Sequence, residues 1–144
     1  MTADFRRVTA DFSVAPQLTA EDIARVAAAG FKVLINNRPD GEAPGQMTNA
    51  EAQQAAEALG LFYHALPFAG PPPPAVVAET EALLAAAPGP VLAYCRTGTR
   101  CITAWALAQA LGGVRTPDEI IARAAEAGYD LSGARVALEG LYPG

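Results

Sequence analysis

A short polar loop around Cys95 contains the residues best suited to chemistry. Cys95 follows the apolar run Val91–Tyr94, and four residues separate it from Arg100. Backbone N–H groups of a glycine-containing loop, with those at the start of the next helix, form an anion site. A helix dipole and nearby arginines lower a cysteine pKa from about 8.5 to roughly 3.5–7.5. We therefore predict that Cys95 is an ionised nucleophile, with an anion-binding loop made of Arg96, Thr97, Gly98 and Thr99.

Arg100 is the second predicted catalytic residue, because its planar guanidinium fits a tetrahedral oxyanion. The alternative is that Cys95 is a small buried core residue, as cysteines often are. The polar sequence from Arg96 to Arg100, directly before an apolar helix, favours the catalytic interpretation.

Further candidates lie close to this loop or at another strand end. Arg38 and Asp40 follow a predicted strand, and the carboxyl ends of parallel strands border the ligand crevice, so they are candidate substrate contacts. A solvated turn is the alternative. Cys101 is a candidate redox partner that would form a disulfide with Cys95, although packing in the first helical turn is favoured. His64, the only histidine, has no histidine partner for a metal site.

The elements that position these residues are well marked. Threonine capping patterns and terminal glycines predict helices over 20–29, 48–60, 74–87 and 116–128, a helix from the Cys95 loop to 111, and a short one from 132. Apolar runs predict strands over 31–36, 61–66 and 91–94, with 12–15 as an edge strand. The alternation of strands and helices predicts an α/β fold with a mostly parallel sheet covered on both faces.

Composition fits one domain over residues 1–144, because 51% of the residues are apolar and can form a core. The net charge is −5 and there is no basic cluster, which argues against nucleic acid as a partner. No apolar run approaches the roughly 20 residues of a membrane-spanning helix. The N-terminus lacks a secretory signal and two cysteines make no disulfide framework, so we expect the cytoplasm. We expect no metal or organic cofactor, and the oligomeric state stays open.

Three segments carry a family resemblance, namely Ser13–Leu18, Ile35–Glu42 and Tyr94–Arg100. They resemble the beta-lactamase-hydrolase-like phosphatase-like family over about residues 10–112. The resemblance implies a three-layer sandwich similar to cysteine-based dual-specificity phosphatases. Some members of that family are described as sulfurtransferases, and some are fused to persulfide dioxygenases. The four-residue spacing matches the loop of rhodanese-type sulfurtransferases, whereas cysteine-based phosphatases have five residues between cysteine and arginine.

The loop Phe68–Pro74 bears on which chemistry the site performs. A phosphatase needs an acid to protonate its leaving group, and the resemblance to dual-specificity phosphatases puts an Asp in this loop, which here contains no Asp, Glu or His. The favoured prediction is therefore a sulfurtransferase that moves sulfane sulfur from thiosulfate or a persulfide to a thiol such as glutathione, through a Cys95 persulfide. The alternative is a phosphatase that forms a Cys95 phosphocysteine. A module that binds an anion without turnover is the third hypothesis.

Overall fold

The computed structural model describes residues 3–144, in which five strands form one sheet. The strands are β1 (Arg6–Thr9), β2 (Phe12–Ala15), β3 (Val33–Asn36), β4 (Phe62–Ala65) and β5 (Val91–Tyr94). The helices are α1 (Ala20–Ala28), α2 (Asn49–Ala58), α3 (Pro74–Ala86), α4 (Thr99–Leu111), α5 (Pro117–Glu126) and α6 (Arg135–Leu141), with a 3-10 turn at Ser132–Ala134 before α6.

The strand order in the sheet is β1-β2-β5-β3-β4. Only the pair formed by β1 and β2 is antiparallel. The prediction that residues 12–15 form an edge strand is wrong, because β2 lies between β1 and β5 and all four of its residues are buried. The edge strand on this side of the sheet is β1, which was not predicted from the sequence. Its first two residues are exposed arginines, so no apolar pattern marks it.

Side chains that alternate along the strands fill two cores, one on each face of the sheet. In β5, Val91 and Ala93 contribute to the core that contains α4, α5 and α6, whereas Leu92 and Tyr94 contribute to the core that contains α1 and α2. Two helical layers thus enclose a mostly parallel sheet. The predicted three-layer α/β fold is confirmed.

Local signals set the helix starts. Capping boxes form at Thr19, Thr48 and Thr116, where each hydroxyl accepts from a backbone N–H three residues later. Two predicted strands are shorter than expected: β3 begins at Val33, and β4 runs only from Phe62 to Ala65. None of the helices in the described residues is long and apolar enough to cross a membrane.

Four parallel strands end at the same edge of the sheet, because β2, β5, β3 and β4 all run in one direction. Ligand sites of open α/β sheets lie at this carboxyl edge. The segments that leave it are residues 16–19, 95–98, 37–48 and 66–73.

Candidate active site

The segment between β5 and α4 curls around the sulfur of Cys95. The backbone N–H of Gly98 donates to Cys95 Sγ at 3.1 Å, and Cys95 is fully buried. Gly98 has a φ of 91°, in the left-handed region that glycine adopts without strain. A Cβ at this position would also collide with the hydroxyl of Tyr129. Glycine is therefore required here both by the turn and by the space available.

Cys95 is a thiolate at neutral pH. Its pKa is lowered to about 5, mainly because the thiol of Cys101 donates a hydrogen bond to it. Burial opposes the change, and backbone N–H groups of Cys101, Thr97 and Gly98 assist it. Burial raises the pKa of Cys101 well above its ordinary value, so this thiol keeps its proton and remains a donor.

The main cause of the low Cys95 pKa differs from the one predicted from the sequence. The sequence analysis attributed the thiolate to the helix dipole and two arginines, and it favoured packing as the role of Cys101. In the structure the Cys101 thiol is the largest cause of the lowered Cys95 pKa. Arg96 is exposed, and it is its carbonyl that makes a contact, accepting from the N–H of Gln17 at 3.4 Å. Whether Cys101 pairs with Cys95 on oxidation stays a prediction.

Arg100 is held in a fixed orientation at the start of α4. Its Nη1 and Nη2 donate to the two carboxylate oxygens of Glu42 at 2.9 and 2.7 Å, and Nη1 also donates to the carbonyl of Phe68 at 3.1 Å. Among the described residues no group accepts from Nε. The edge formed by Nε and the second Nη2 hydrogen therefore stays available for two oxygens of an anion, which is the geometry of bidentate recognition.

Glu42 is the central anion of this network, and the sequence analysis did not assign it a role. It also accepts from Arg38 Nε at 2.9 Å. The two arginines lower its pKa to about 2, so it is a carboxylate at any physiological pH. The one available signal was its place at the end of the segment Ile35–Glu42. A contact with Arg100, 58 residues away, leaves no local pattern.

Arg38 is buried and links two segments of this network. Besides Glu42, its guanidinium donates to Gln17 Oε1 at 3.0 Å. Gln17 in turn contacts the Cys95 loop through Arg96. The segments that follow β2, β3 and β5 are thereby joined around one carboxylate. A contact between Arg38 and substrate stays a prediction.

Asp40 lies beside this network, not in it. Its carboxylate accepts the backbone N–H of Asn49 at 2.7 Å, at the first turn of α2. It also borders a cavity of about 110 Å³ lined by Asn36, Arg38, Asn49, Ala65 and Pro67. The structure therefore gives Asp40 a helix-capping contact, and a contact with substrate stays a prediction.

The two threonines of the loop face outward. Thr97 Oγ1 and Thr99 Oγ1 are 3.0 Å apart, and both residues are exposed. The carbonyl of Thr97 accepts from the hydroxyl of Tyr129 at 2.9 Å. Tyr129 is a second residue that the sequence analysis missed, since it follows α5 and lies 32 residues from its partner. Its hydroxyl supports the loop through this contact.

His64 is remote from this network. It lines a cavity of about 350 Å³ against α3, together with Val33, Phe62 and Leu83. His64 is half-buried in β4.

A known protein family matches most of this chain, including the Cys95 loop. Residues 4–112 match the family model described as beta-lactamase hydrolase-like protein, phosphatase-like domain. The chain belongs to this family. The matched residues include Glu42, Cys95 and Arg100, and the matched segment ends one residue after α4. The resemblance found in the sequence is confirmed.

Curated relatives of the phosphatase-like domain are longer proteins. A beta-lactamase hydrolase-like protein of Agrobacterium fabrum is 37% identical over 134 residues, which cover 92% of this chain and 31% of that protein. One from Xylella fastidiosa is 33% identical and covers 88% and 30%. The chain spans about three tenths of the length of these relatives.

Solved structures resemble the phosphatase-like domain along nearly its whole length. A Neisseria meningitidis protein described as a candidate phosphatase has a TM-score of 0.79 and 36% identity, covering 94% of this chain and 96% of that one. PTPMT1 in complex with PI(5)P has a TM-score of 0.74 at 15% identity, covering 95% and 93%. Tk-PTP has 0.71 at 14%, covering 94% and 93%. The last two show the fold alone, and they confirm the expected likeness to cysteine-based phosphatases.

Proposed function

We propose that this domain is a cysteine-dependent phosphohydrolase. The observation that carries the proposal is a buried Cys95 thiolate inside a loop that starts a helix, together with Arg100, whose pKa is raised chiefly by Glu42 and also by the nearby charge of Cys95. Membership of a phosphatase-like family supports the same choice. The proposed phosphohydrolase was the alternative among the predictions from the sequence, which favoured sulfur transfer.

The reaction has two displacements at phosphorus. The Cys95 thiolate attacks phosphorus, an S–P bond forms, and the P–O bond to the leaving group breaks with its electron pair going to oxygen. Water then attacks phosphorus, the S–P bond breaks, and orthophosphate leaves while a proton passes to solvent. Arg100 and the loop N–H groups stabilise the negative charge on the oxygens of phosphorus in both steps.

Sulfur transfer is the second candidate, and two observations favour it. The loop contains four residues between Cys95 and Arg100, and the loop after β4 offers Ala69 and Gly70 where a phosphatase would need an acid. Cys95 would attack the outer sulfur of thiosulfate, release sulfite with the electron pair of the broken S–S bond, and hold a persulfide. Glutathione thiolate would then take that sulfur. A reducing compartment such as the cytoplasm would supply this acceptor.

A paired assay on the purified protein separates the two functions. One reaction contains nitrophenyl phosphate and follows phosphate, and the other contains thiosulfate with glutathione and follows sulfite. Cys95→Ser is the control in both. We expect Cys95-dependent phosphate release to exceed sulfite release. Cys95-dependent sulfite release without phosphate would contradict the proposal and establish the second candidate, and binding of phosphate with no turnover in either reaction would leave an anion-binding module.

A further inference from the structure

The loop after β4 contacts Arg100 through a backbone carbonyl. The carbonyl of Phe68 accepts from Arg100 Nη1 at 3.1 Å, and Phe68 is buried. The residues that follow it toward α3 are Ala69, Gly70 and the proline run 71–74. This segment, whose counterpart in dual-specificity phosphatases is expected to carry the general acid, therefore has no titratable side chain to protonate a leaving group.

The acidic groups nearest to this segment are committed elsewhere. Glu42 lies between Arg38 and Arg100, and these two cations keep it ionised. Asp40 accepts the N–H of Asn49 at the start of α2. Each carboxylate accepts a hydrogen bond in a contact within the protein, Glu42 from two arginines and Asp40 from the N–H of Asn49.

Three further proton donors are engaged with other groups or line another cavity. The hydroxyl proton of Tyr129 is donated to the carbonyl of Thr97. The thiol proton of Cys101 is donated to Cys95 itself. His64 lies in the cavity against α3. In the described part of the chain, the site therefore combines strong stabilisation of the nucleophile and of the anion with no assistance to the departing oxygen.

We propose that the site acts on phosphoryl compounds whose leaving group is already a stable anion near neutral pH, such as acyl phosphates and phosphates of acidic phenols. The inference rests on the proposed phosphohydrolase function and defines its substrate class. A carboxylate or an acidic phenolate departs with the electron pair of the P–O bond and needs no proton. A tyrosine-like phenolate, whose conjugate acid has a pKa of about 10, departs slowly without an acid. An alkoxide, the anion of a still weaker acid, also departs slowly.

The test measures kcat/KM for dinitrophenyl, nitrophenyl and phenyl phosphates, with acetyl phosphate as the acyl case. Because a general acid typically contributes about 10²–10⁴-fold, we expect kcat/KM to fall by about that factor from dinitrophenyl to phenyl phosphate. Acetyl phosphate should be hydrolysed at a rate near that of the dinitrophenyl ester. Cys95→Ser, measured on every ester, identifies the turnover that belongs to the site.

A variant that supplies the acid sharpens the test. Ala69→Asp puts a carboxyl group on the exposed residue after Phe68, and Ala69→Asn is the matched variant without a titratable group. Gly70 is the poorer position, because its φ of 74° would strain any side chain. We expect Ala69→Asp to raise kcat/KM for phenyl phosphate by at least about tenfold, with little effect on the dinitrophenyl ester, and Ala69→Asn to do neither.

Two results would overturn the inference in distinguishable ways. Cys95-dependent hydrolysis with kcat/KM equal within about threefold across the series would refute the substrate class and leave the phosphohydrolase function intact, since an acid would then be acting. Absence of Cys95-dependent hydrolysis of every ester, acetyl phosphate included, would refute both.

Discussion

The two ends of strands β2 and β5 differ in cavity size and in the kind of residues they bring together. At their amino ends, near the pair Phe12 and Val91, lies a cavity of about 360 Å³ that Trp105 and Gln109 help to line. At their carboxyl ends, near the pair Ala15 and Tyr94, Cys95 is fully buried and charged groups are joined in one network.

Contacts at the two ends explain the contrast. At the amino end Phe12 stacks on Trp105 with ring centroids 5.8 Å apart, and Arg115 donates to Gln109 Oε1. These contacts bury apolar surface and pair polar groups, so they stabilise the fold. At the carboxyl end the Cys95 thiolate and Arg100 form the site for which we propose an anionic substrate. Fixed N–H groups and charges distinguish this end, whereas the cavity of larger volume lies at the end that is held by packing contacts.

Gly98→Ala should damage the carboxyl end most. The substitution strains a left-handed backbone and drives a methyl group into the Tyr129 hydroxyl. We expect a loss of unfolding free energy of about 1–3 kcal/mol and a fall in kcat/KM of about 100-fold, read by denaturant unfolding and the phosphate assay. Gly140→Ala is the control, because its added methyl group meets nothing within 4 Å and the position is helical. Equal effects of the two variants would contradict the account of the loop.

Glu42→Gln should have the next largest effect. It keeps the shape but removes the charge that fixes Arg100, so we expect kcat/KM to fall roughly 10- to 100-fold. Glu79→Gln, on the exposed face of α3, is the matched control. An unchanged kcat/KM in Glu42→Gln would mean that Arg100 is oriented without its carboxylate partner.

The same variant has a predicted signature in acid. The folded-state pKa of Glu42 is about 2, below its ordinary value of 4.5. A depressed carboxyl pKa contributes stability that is present above the ordinary value and is lost as pH falls toward the folded value. The stability of the natural protein should therefore decline between about pH 4.5 and 2 more steeply than that of Glu42→Gln, as measured by unfolding at each pH.

Cys101→Ala should have a smaller effect on turnover and a clear effect on titration. Without the thiol donor the pKa of Cys95 rises from about 5 toward its ordinary value. We expect iodoacetamide alkylation near pH 6 to slow by roughly threefold to tenfold, whereas Cys101→Ser, which keeps a donor, should stay close to the natural protein. An unchanged titration in Cys101→Ala would assign the low pKa to the backbone N–H groups.

Gln109→Ala, at the amino end, should affect turnover least. Gln109 is buried and accepts from Arg115 at 2.6 Å. We expect a stability loss of about 1–2 kcal/mol with kcat/KM within about twofold of the natural value, because the site is built at the other end of the sheet. A larger fall in kcat/KM would show that the two ends are coupled.

The sequence predicted what neighbouring residues decide. The capping boxes at Thr19, Thr48 and Thr116 involve side chains three residues apart, and β5 was bounded correctly because an apolar run precedes a polar loop. Cys95 was placed correctly at the end of that strand for the same reason.

The missed features depend on distant partners. The first strand, Arg6–Thr9, has one buried residue, so it is defined by its pairing with β2 and not by its own pattern. Glu42, Gln17 and Tyr129 take part in the site through contacts with other loops, 58, 21 and 32 residues apart. Only the folded sheet brings these segments to one edge.

The support that Tyr129 gives to the Cys95 loop bears on the domain's modularity. The family match ends at residue 112, yet Tyr129 bonds to Thr97, and Ile120 and Leu138 lie in the same core as Cys95. The unit that folds is therefore larger than the residues matched by the family model, in agreement with the 134-residue match to the Agrobacterium fabrum relative. A fragment that ends at residue 112 would lose the side chains of α5 and α6 that cover one core, and the Tyr129 contact that supports the Cys95 loop. Transfer of the domain into another protein therefore requires both of these helices.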